Sequence, residues 1–273
     1  MLPRTLSDAC QLARRLRQPC AALARSVAAT TRRGQARLKA ADIQRKGVGD
    51  FVTAADVRAE QRLRRALSAL VPGAGFLGEE SEPRAVTEDL VWVVDPIDGT
   101  SNYARGLPHY AVSLALLFRG RPVIGVCHCY PEDATYVAVH RAGVTRERRR
   151  VAAPRARFDD GAVLGCQWFR GQDDMQFLSA LQSAGARIRT LGSTVVQLCD
   201  CAMGRLDGNV QQQGRVWDFA AAGLIAQEAG LKFTDWRGRP VFPVGDLEVE
   251  HTATVAARPG VHRKLLPLLA SYA

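Results

Sequence analysis

Two carboxylates, Asp95 and Asp98, stand three residues apart in Trp92-Val93-Val94-Asp95-Pro96-Ile97-Asp98-Gly99-Thr100, where an apolar run breaks into a Gly-Thr turn. Carboxylate oxygens are hard ligands of the kind Mg²⁺ prefers, and a turn that opens a helix offers backbone N–H groups to a phosphate. The segment therefore reads as a place where divalent cations and a phosphate ester meet. Further acids stand in comparable settings. Gly78-Glu79-Glu80 follows the apolar stretch 74–77, Asp56 closes Val52-Thr53-Ala54-Ala55-Asp56 as a helical pattern begins, and Asp218 opens another helix in Trp217-Asp218-Phe219-Ala220. A phosphate monoester is itself negative, so its hydrolysis calls for divalent charge to neutralise it and to lower the pKa of an attacking water.

These residues need elements to hold them. Val91 to Val94 form a β-branched and aromatic run that predicts a buried strand, which Pro96 is expected to end because proline cannot donate to a sheet ladder. Leu12, Leu16, Leu23 and Val27 predict a helix from Leu6 to about Arg32 with a kink at Pro19, and a second helix runs from Asp56 to Leu70, stopped by Pro72-Gly73. The runs 110–118, 122–130 and 135–140, separated by turn residues, predict an antiparallel meander. Beyond it the rhythm changes to β, α, β, α, β, α over 162–166, 174–184, 186–191, 193–203, 206–210 and 217–229. The fold class is therefore α+β and layered. Residues 1–153 form an N-terminal region carrying most of the acids, residues 154–273 a C-terminal region completing the site, with the boundary near Pro154.

A chain of 273 residues with 47% hydrophobic content can bury a sizeable core. The longest strongly apolar run, 110–118, is too short to span a bilayer, and Arg14, Arg15 and Arg17 interrupt any signal-peptide centre, so the expected location is cytoplasmic with no membrane partner. Seven cysteines form no disulfide framework. Strand alternation turns the sulfurs of Cys127 and Cys129 away from His128, and Cys199 and Cys201 diverge around a helix, so these residues are read as core filling. The net charge of +10 and the run Arg146, Arg148, Arg149, Arg150, Arg155, Arg157 raise a different function, binding of RNA or an acidic protein, although no aromatic residues interleave with the arginines.

From about Lys46 to about Gly230 the ordered segments above, with Ser101-Asn102-Tyr103-Ala104-Arg105-Gly106-Leu107-Pro108-His109 and Ala111-Val112-Ser113-Leu114, resemble those of the inositol monophosphatase family of Mg²⁺-dependent, lithium-sensitive phosphatases. The resemblance implies the αβαβα sandwich shared with fructose-1,6-bisphosphatases, two or three Mg²⁺ ions, and a homodimer. Carried onto this chain, Asp95 would bridge two ions, Glu79 and the Ile97 carbonyl would complete one site, and Asp98 with Asp218 the other. Glu79 would also touch a third, weaker ion, with Glu80 held second because adjacent residues point apart. Thr100 with Asp56 would orient and deprotonate the attacking water, and the Gly99 and Thr100 N–H groups would hold phosphate oxygens during in-line attack, with no covalent phosphoenzyme. Lys46 matches a basic residue near the family's site.

Substrate choice rests on Gly192-Ser193-Thr194, which matches a segment beside the alcohol moiety of the substrate and also reads as a helix N-cap, and on Gln211. Seven residues before Asp218, where inositol-cleaving members usually carry Glu, this chain has Gln211, which keeps hydrogen bonding but loses the charge. The expected substrate is inositol 1-phosphate or a related sugar or polyol phosphate. Histidinol phosphate and nucleotide-type esters (3′-phosphoadenosine 5′-phosphate, NADP) are the alternatives, favoured by the nearby Arg215.

Overall fold

The computed structural model describes residues 2–38, 42–47, 50–81, 87–151, 161–168, 175–247 and 252–272, with backbone only for 45–47 and 50–52. Helices α1 (Leu6–Gln35) and α2 (Ala54–Leu70) flank a hairpin of β1 (Ile43–Gly47) and β2 (Asp50–Thr53). Next come β3 (Gly75–Gly78), β4 (Leu90–Asp98), the short helix α3 (Thr100–Ala104), β5 (Ala111–Phe118), β6 (Arg121–Cys129), β7 (Ala134–Val139), β8 (Val144–Arg146) and β9 (Arg149–Arg150). These strands make a seven-stranded sheet in chain order, parallel only between β3 and β4, so the predicted meander of β5, β6 and β7 is present.

The remaining elements are β10 (Val163–Gln167), α4 (Gln176–Ser183), β11 (Arg187–Arg189), α5 (Thr194–Met203), β12 (Gly208–Gln211), α6 (Val216–Glu228), β13 (Lys232–Asp235), β14 (Thr254–Ala257) and α7 (Pro259–Leu269). The predicted alternation is there, and its strands form a five-stranded sheet ordered β11-β10-β12-β14-β13. The sequence reading assigned nothing to β13, β14 and α7.

Side-chain alternation along each strand explains how the layers stack. On β4, Trp92 and Val94 pack towards α1 and α2, while Val91 and Val93 pack towards α5 and α6. The opposite side of the α5–α6 layer meets Ala256 and Phe233 of the second sheet, whose far face carries Leu164, Val210 and Val255 against α4 and α7. The order is αβαβα, as expected. α6 is apolar all round because sheets cover it on both sides, and its run Ala220-Ala221-Ala222-Gly223 lets them come close. A Cβ on Gly125 of β6 would stand 2.5 Å from the Ala221 carbonyl oxygen.

α1 carries Pro19 inside it and runs on to Gln35. One local expectation is corrected. β4 does not end at Pro96 but continues to Asp98, because the strand bulges there: Asp95 opposes Ser113 and Asp98 opposes Ala111, three residues against two. Proline's missing N–H falls inside the bulge and costs no ladder bond. The proposed boundary at Pro154 lies outside the described residues.

Candidate active site

The bulge in β4 is what builds the acid pair. In a regular strand Asp95 and Asp98 would point to opposite faces. The extra residue reverses the parity, so Ile97 turns into the α1–α2 core while both aspartates face the α5–α6 layer. Asp95 Oδ1 accepts the Ile97 N–H at 2.9 Å, closing the turn. Asp95, Asp98 and Asp218 offer carboxylate oxygens that all lie within 4.8 Å of one another. Glu79 stands against Asp95 from β3's end, its N–H donating to the Val94 carbonyl at 3.2 Å.

Like charges crowded out of water resist ionisation. Burial, then the charges of Glu79, Asp98 and Asp218, hold the Asp95 carboxyl well above the ordinary carboxylate range. Asp98 is pushed up to about 6 by burial, opposed by hydrogen bonds from Ser193, Val195 and Thr194. Those bonds settle what Ser193 does in this structure. Its hydroxyl caps α5 by accepting the Val196 N–H at 3.2 Å and donates to Asp98 Oδ2, which also takes the Val195 N–H at 2.9 Å. The second half of the chain thus grips Asp98 of the first.

Asp218 and Asp56 are held alike. Each occupies the third position of its helix, with one carboxylate oxygen tied to the N-cap amide: Arg215 N–H to Asp218 at 2.8 Å, and Thr53 N–H to Asp56 at 2.8 Å. Asp56 is fully buried, and burial raises its pKa against the opposition of hydrogen bonds from Thr53, Thr100 and its own backbone. Thr100 Oγ1 lies 2.9 Å from the Ile97 carbonyl oxygen and 3.2 Å from Asp56 Oδ1, so its one proton has two acceptors. Gly99 precedes it at φ 93°, where a Cβ would meet the carbonyl of His109 at 2.9 Å, so only glycine fits the turn.

Around this centre, Gly192 sits at φ 73° against Asn102, whose amide donates to the carbonyls of His109 and Leu191, both at 2.7 Å. Asn102 therefore stitches α3 to the loop entering α5, a role the sequence reading did not give it. Thr194 is buried at the start of α5. Gln211 is fully buried at the end of β12, accepting from Thr254 Oγ1 at 3.4 Å, while its Nε2 has no partner among the described residues. Trp217 is half-buried, with the Arg215 guanidinium 5.5 Å from its ring centre. Glu80 is fixed through its backbone, whose N–H donates to Glu60 Oε2 at 2.8 Å. The side chain of Lys46 lies outside the described portion of the structure. Cys127, Cys129, Cys199 and Cys201 are buried in the apolar core as filling.

The model of the inositol monophosphatase family matches residues 14–272, and the chain belongs to that family. Its relatives include the inositol-1-monophosphatase of Rhizobium meliloti (strain 1021), 37% identical over 201 residues that cover 71% of this chain and 75% of that protein. The Nus factor SuhB of Vibrio cholerae is 33% identical over 199 residues, 71% of this chain and 74% of that protein. Among solved structures, the extragenic suppressor protein SuhB of Bartonella henselae superposes with a TM-score of 0.80 at 29% identity, covering 90% of this chain and 95% of that one. Among the described residues, no helix is long and apolar enough to cross a membrane.

Proposed function

We propose that this chain is a Mg²⁺-dependent phosphomonoesterase that hydrolyses inositol 1-phosphate or a related small sugar or polyol phosphate. The observation that carries this reading is the convergence of Asp95, Asp98 and Asp218, with Glu79 against Asp95. An all-oxygen donor set in which burial first, and neighbouring carboxylates second, raise the Asp95 pKa fits a hard dication. Glu79, Asp95 and the Ile97 carbonyl would hold one ion, Asp95, Asp98 and Asp218 a second, and Glu79 a weaker third. Bound dications supply the charge that neutralises the ester and acidifies the attacking water.

The chain's own groups do the rest. Thr100 passes its proton to Asp56 and thereby accepts one from the water, and Asp56, with its pKa raised by burial, is basic enough to keep it. The Gly99 and Thr100 N–H groups hold phosphate oxygens, and Gly192, Ser193, Thr194 and Gln211 border the alcohol moiety. Gln211 and Arg215 widen the range towards histidinol phosphate or nucleotide-type esters. The test is phosphate release from a panel of these esters with Mg²⁺ or EDTA. Mg²⁺-dependent turnover of one ester, lost in Asp95→Asn, supports the reading, and turnover that survives EDTA and Asp95→Asn overturns it.

A second reading, RNA binding, is favoured by charge placement. Arg14, Arg17, Arg25 and Arg148 line one cleft of about 440 Å³ beside α1, and Arg33, Arg37, Arg58, Arg62 and Arg65 line another of about 630 Å³ between α1 and α2. Of the expected arginine run, Arg146 is instead bound to Glu132 at 2.6 Å, Arg149 and Arg150 are exposed, and Arg155 and Arg157 lie outside the described residues. Salt-sensitive retardation of generic RNA, retained by Asp95→Asn, would support it. No retardation at low salt would dismiss it.

A further inference from the structure

Glu60 is an acid that the chemistry above does not use, and it is almost wholly buried, 5% exposed. It stands one turn after Asp56 on α2, and Arg64 stands one turn further, so a single stripe of that helix carries all three. Glu60 Oε2 accepts the Glu80 N–H at 2.8 Å, and Oε1 accepts the Ser81 hydroxyl at 2.6 Å. Arg64 closes the arrangement. Its guanidinium lies 3.7 Å from Glu60 Oε1, donates to Ser81 Oγ, and rests 4.3 Å above the Phe76 ring of β3. Gly78 is where this packing is tightest, because a Cβ there would land on the Glu60 carboxylate.

The segment wrapped around Glu60 is the one that presents Glu79. Upstream, the Glu79 N–H is fixed to Val94 of β4. Downstream, the Glu80 N–H and the Ser81 hydroxyl both end on Glu60. A ligand between two such anchors cannot rotate away from Asp95 without breaking one, and a buried carboxylate accepting two donors in good geometry is a strong anchor. The same helix, four residues earlier, carries Asp56 and through it Thr100. We propose that Glu60 is a positioning residue that sets the Mg²⁺ affinity of the Glu79 side of the site without touching the ion, and that α2 thereby keeps Glu79 in register with Asp56 and Thr100. This rests on the phosphatase reading above.

The test is calorimetric titration of Mg²⁺ into the full-length protein without substrate, for wild type, Glu60→Ala and Glu60→Gln, with hydrolysis measured against Mg²⁺ concentration. Losing an outer partner of a metal ligand costs about 10–100-fold in affinity, and Glu60→Ala should fall in that range. Half-maximal hydrolysis should move to higher Mg²⁺ by the same factor, while kcat at saturating Mg²⁺ recovers. Glu60→Gln should rescue binding, because its amide keeps an acceptor for the Glu80 N–H and can donate to Ser81 Oγ. If Glu60→Ala does not fold, Gly78→Ala, which displaces the Glu60 carboxylate, and Ser81→Ala, which removes one bond, report on the same anchor and should also weaken binding. Wild-type affinity in every folded variant overturns the inference, as does Glu60→Gln binding as poorly as Glu60→Ala. Wild type that binds no Mg²⁺ would instead overturn the phosphatase reading itself.

Discussion

At Thr100 a single hydroxyl proton faces a backbone carbonyl and a buried carboxylate. In the proposed mechanism, with the Ile97 carbonyl engaged by an ion, the proton would go to Asp56 and the oxygen lone pairs would turn to the incoming water. Thr100→Val keeps the bulk and the helix start but removes that path. Its kcat should drop about 100-fold or more, the usual size of a lost proton relay, with Mg²⁺ affinity by calorimetry unchanged. Gln211 makes the opposite prediction. A carboxylate there accepts more strongly from a ring hydroxyl, so Gln211→Glu should raise kcat/KM for inositol 1-phosphate by about fivefold, the worth of roughly 1 kcal/mol, and no gain would remove the charge argument for substrate choice. The acids that meet here were legible because Asp95, Asp98, Asp56 and Asp218 each sit where a pattern changes, at a strand end or a helix start. Glu60 was not, since within α2 it looks like any helical acid until the loop 78–81 folds onto it.

At the scale of elements, β4 shows why a correct motif came with a wrong strand end. The rule that proline stops a ladder is local, whereas a bulge redistributes the pairing so that the proline sits where no bond is due. β13, β14 and α7 escaped for a related reason. Thr254–Ala257 is a short run of small residues, and it becomes the partner of both β12 and β13 only through pairing across long stretches of chain. What the sequence did carry was the density of small residues in α6, whose purpose is the approach of two sheets to one helix. Gly125→Ala forces a methyl into the Ala221 carbonyl, and overpacking of this sort costs about 1–3 kcal/mol. The melting temperature should fall by roughly 2–12 °C in a thermal scan, given about 2–4 °C per kcal/mol for chains of this size. An unchanged melting temperature would mean that the β6–α6 contact is looser than the geometry here.

For the whole molecule, the site is a seam. Asp95 and Asp98 come from the first sheet and Asp218 from the helix layer between the sheets, so a cation held by these three would tie together layers that the apolar core already stacks, while Asp56 reaches Thr100 from the outer helix layer. Without the cation, the acids act against folding. Asp98 titrates near 3.8 when unfolded and is pushed up to about 6 when folded, and Asp95 moves in the same direction. The folded chain therefore holds more protons across that window, and these groups make metal-free stability fall as pH rises through it. Mg²⁺ bound as proposed would displace the same protons, so its affinity would rise as these groups ionise, by about tenfold per pH unit for each proton released. The gain in melting temperature on adding Mg²⁺ should thus be small near pH 5 and several times larger near pH 7.5, and Asp95→Asn should flatten that dependence. Equal gains at both pH values in the wild-type protein would show that Mg²⁺ stabilises it somewhere other than at these carboxylates.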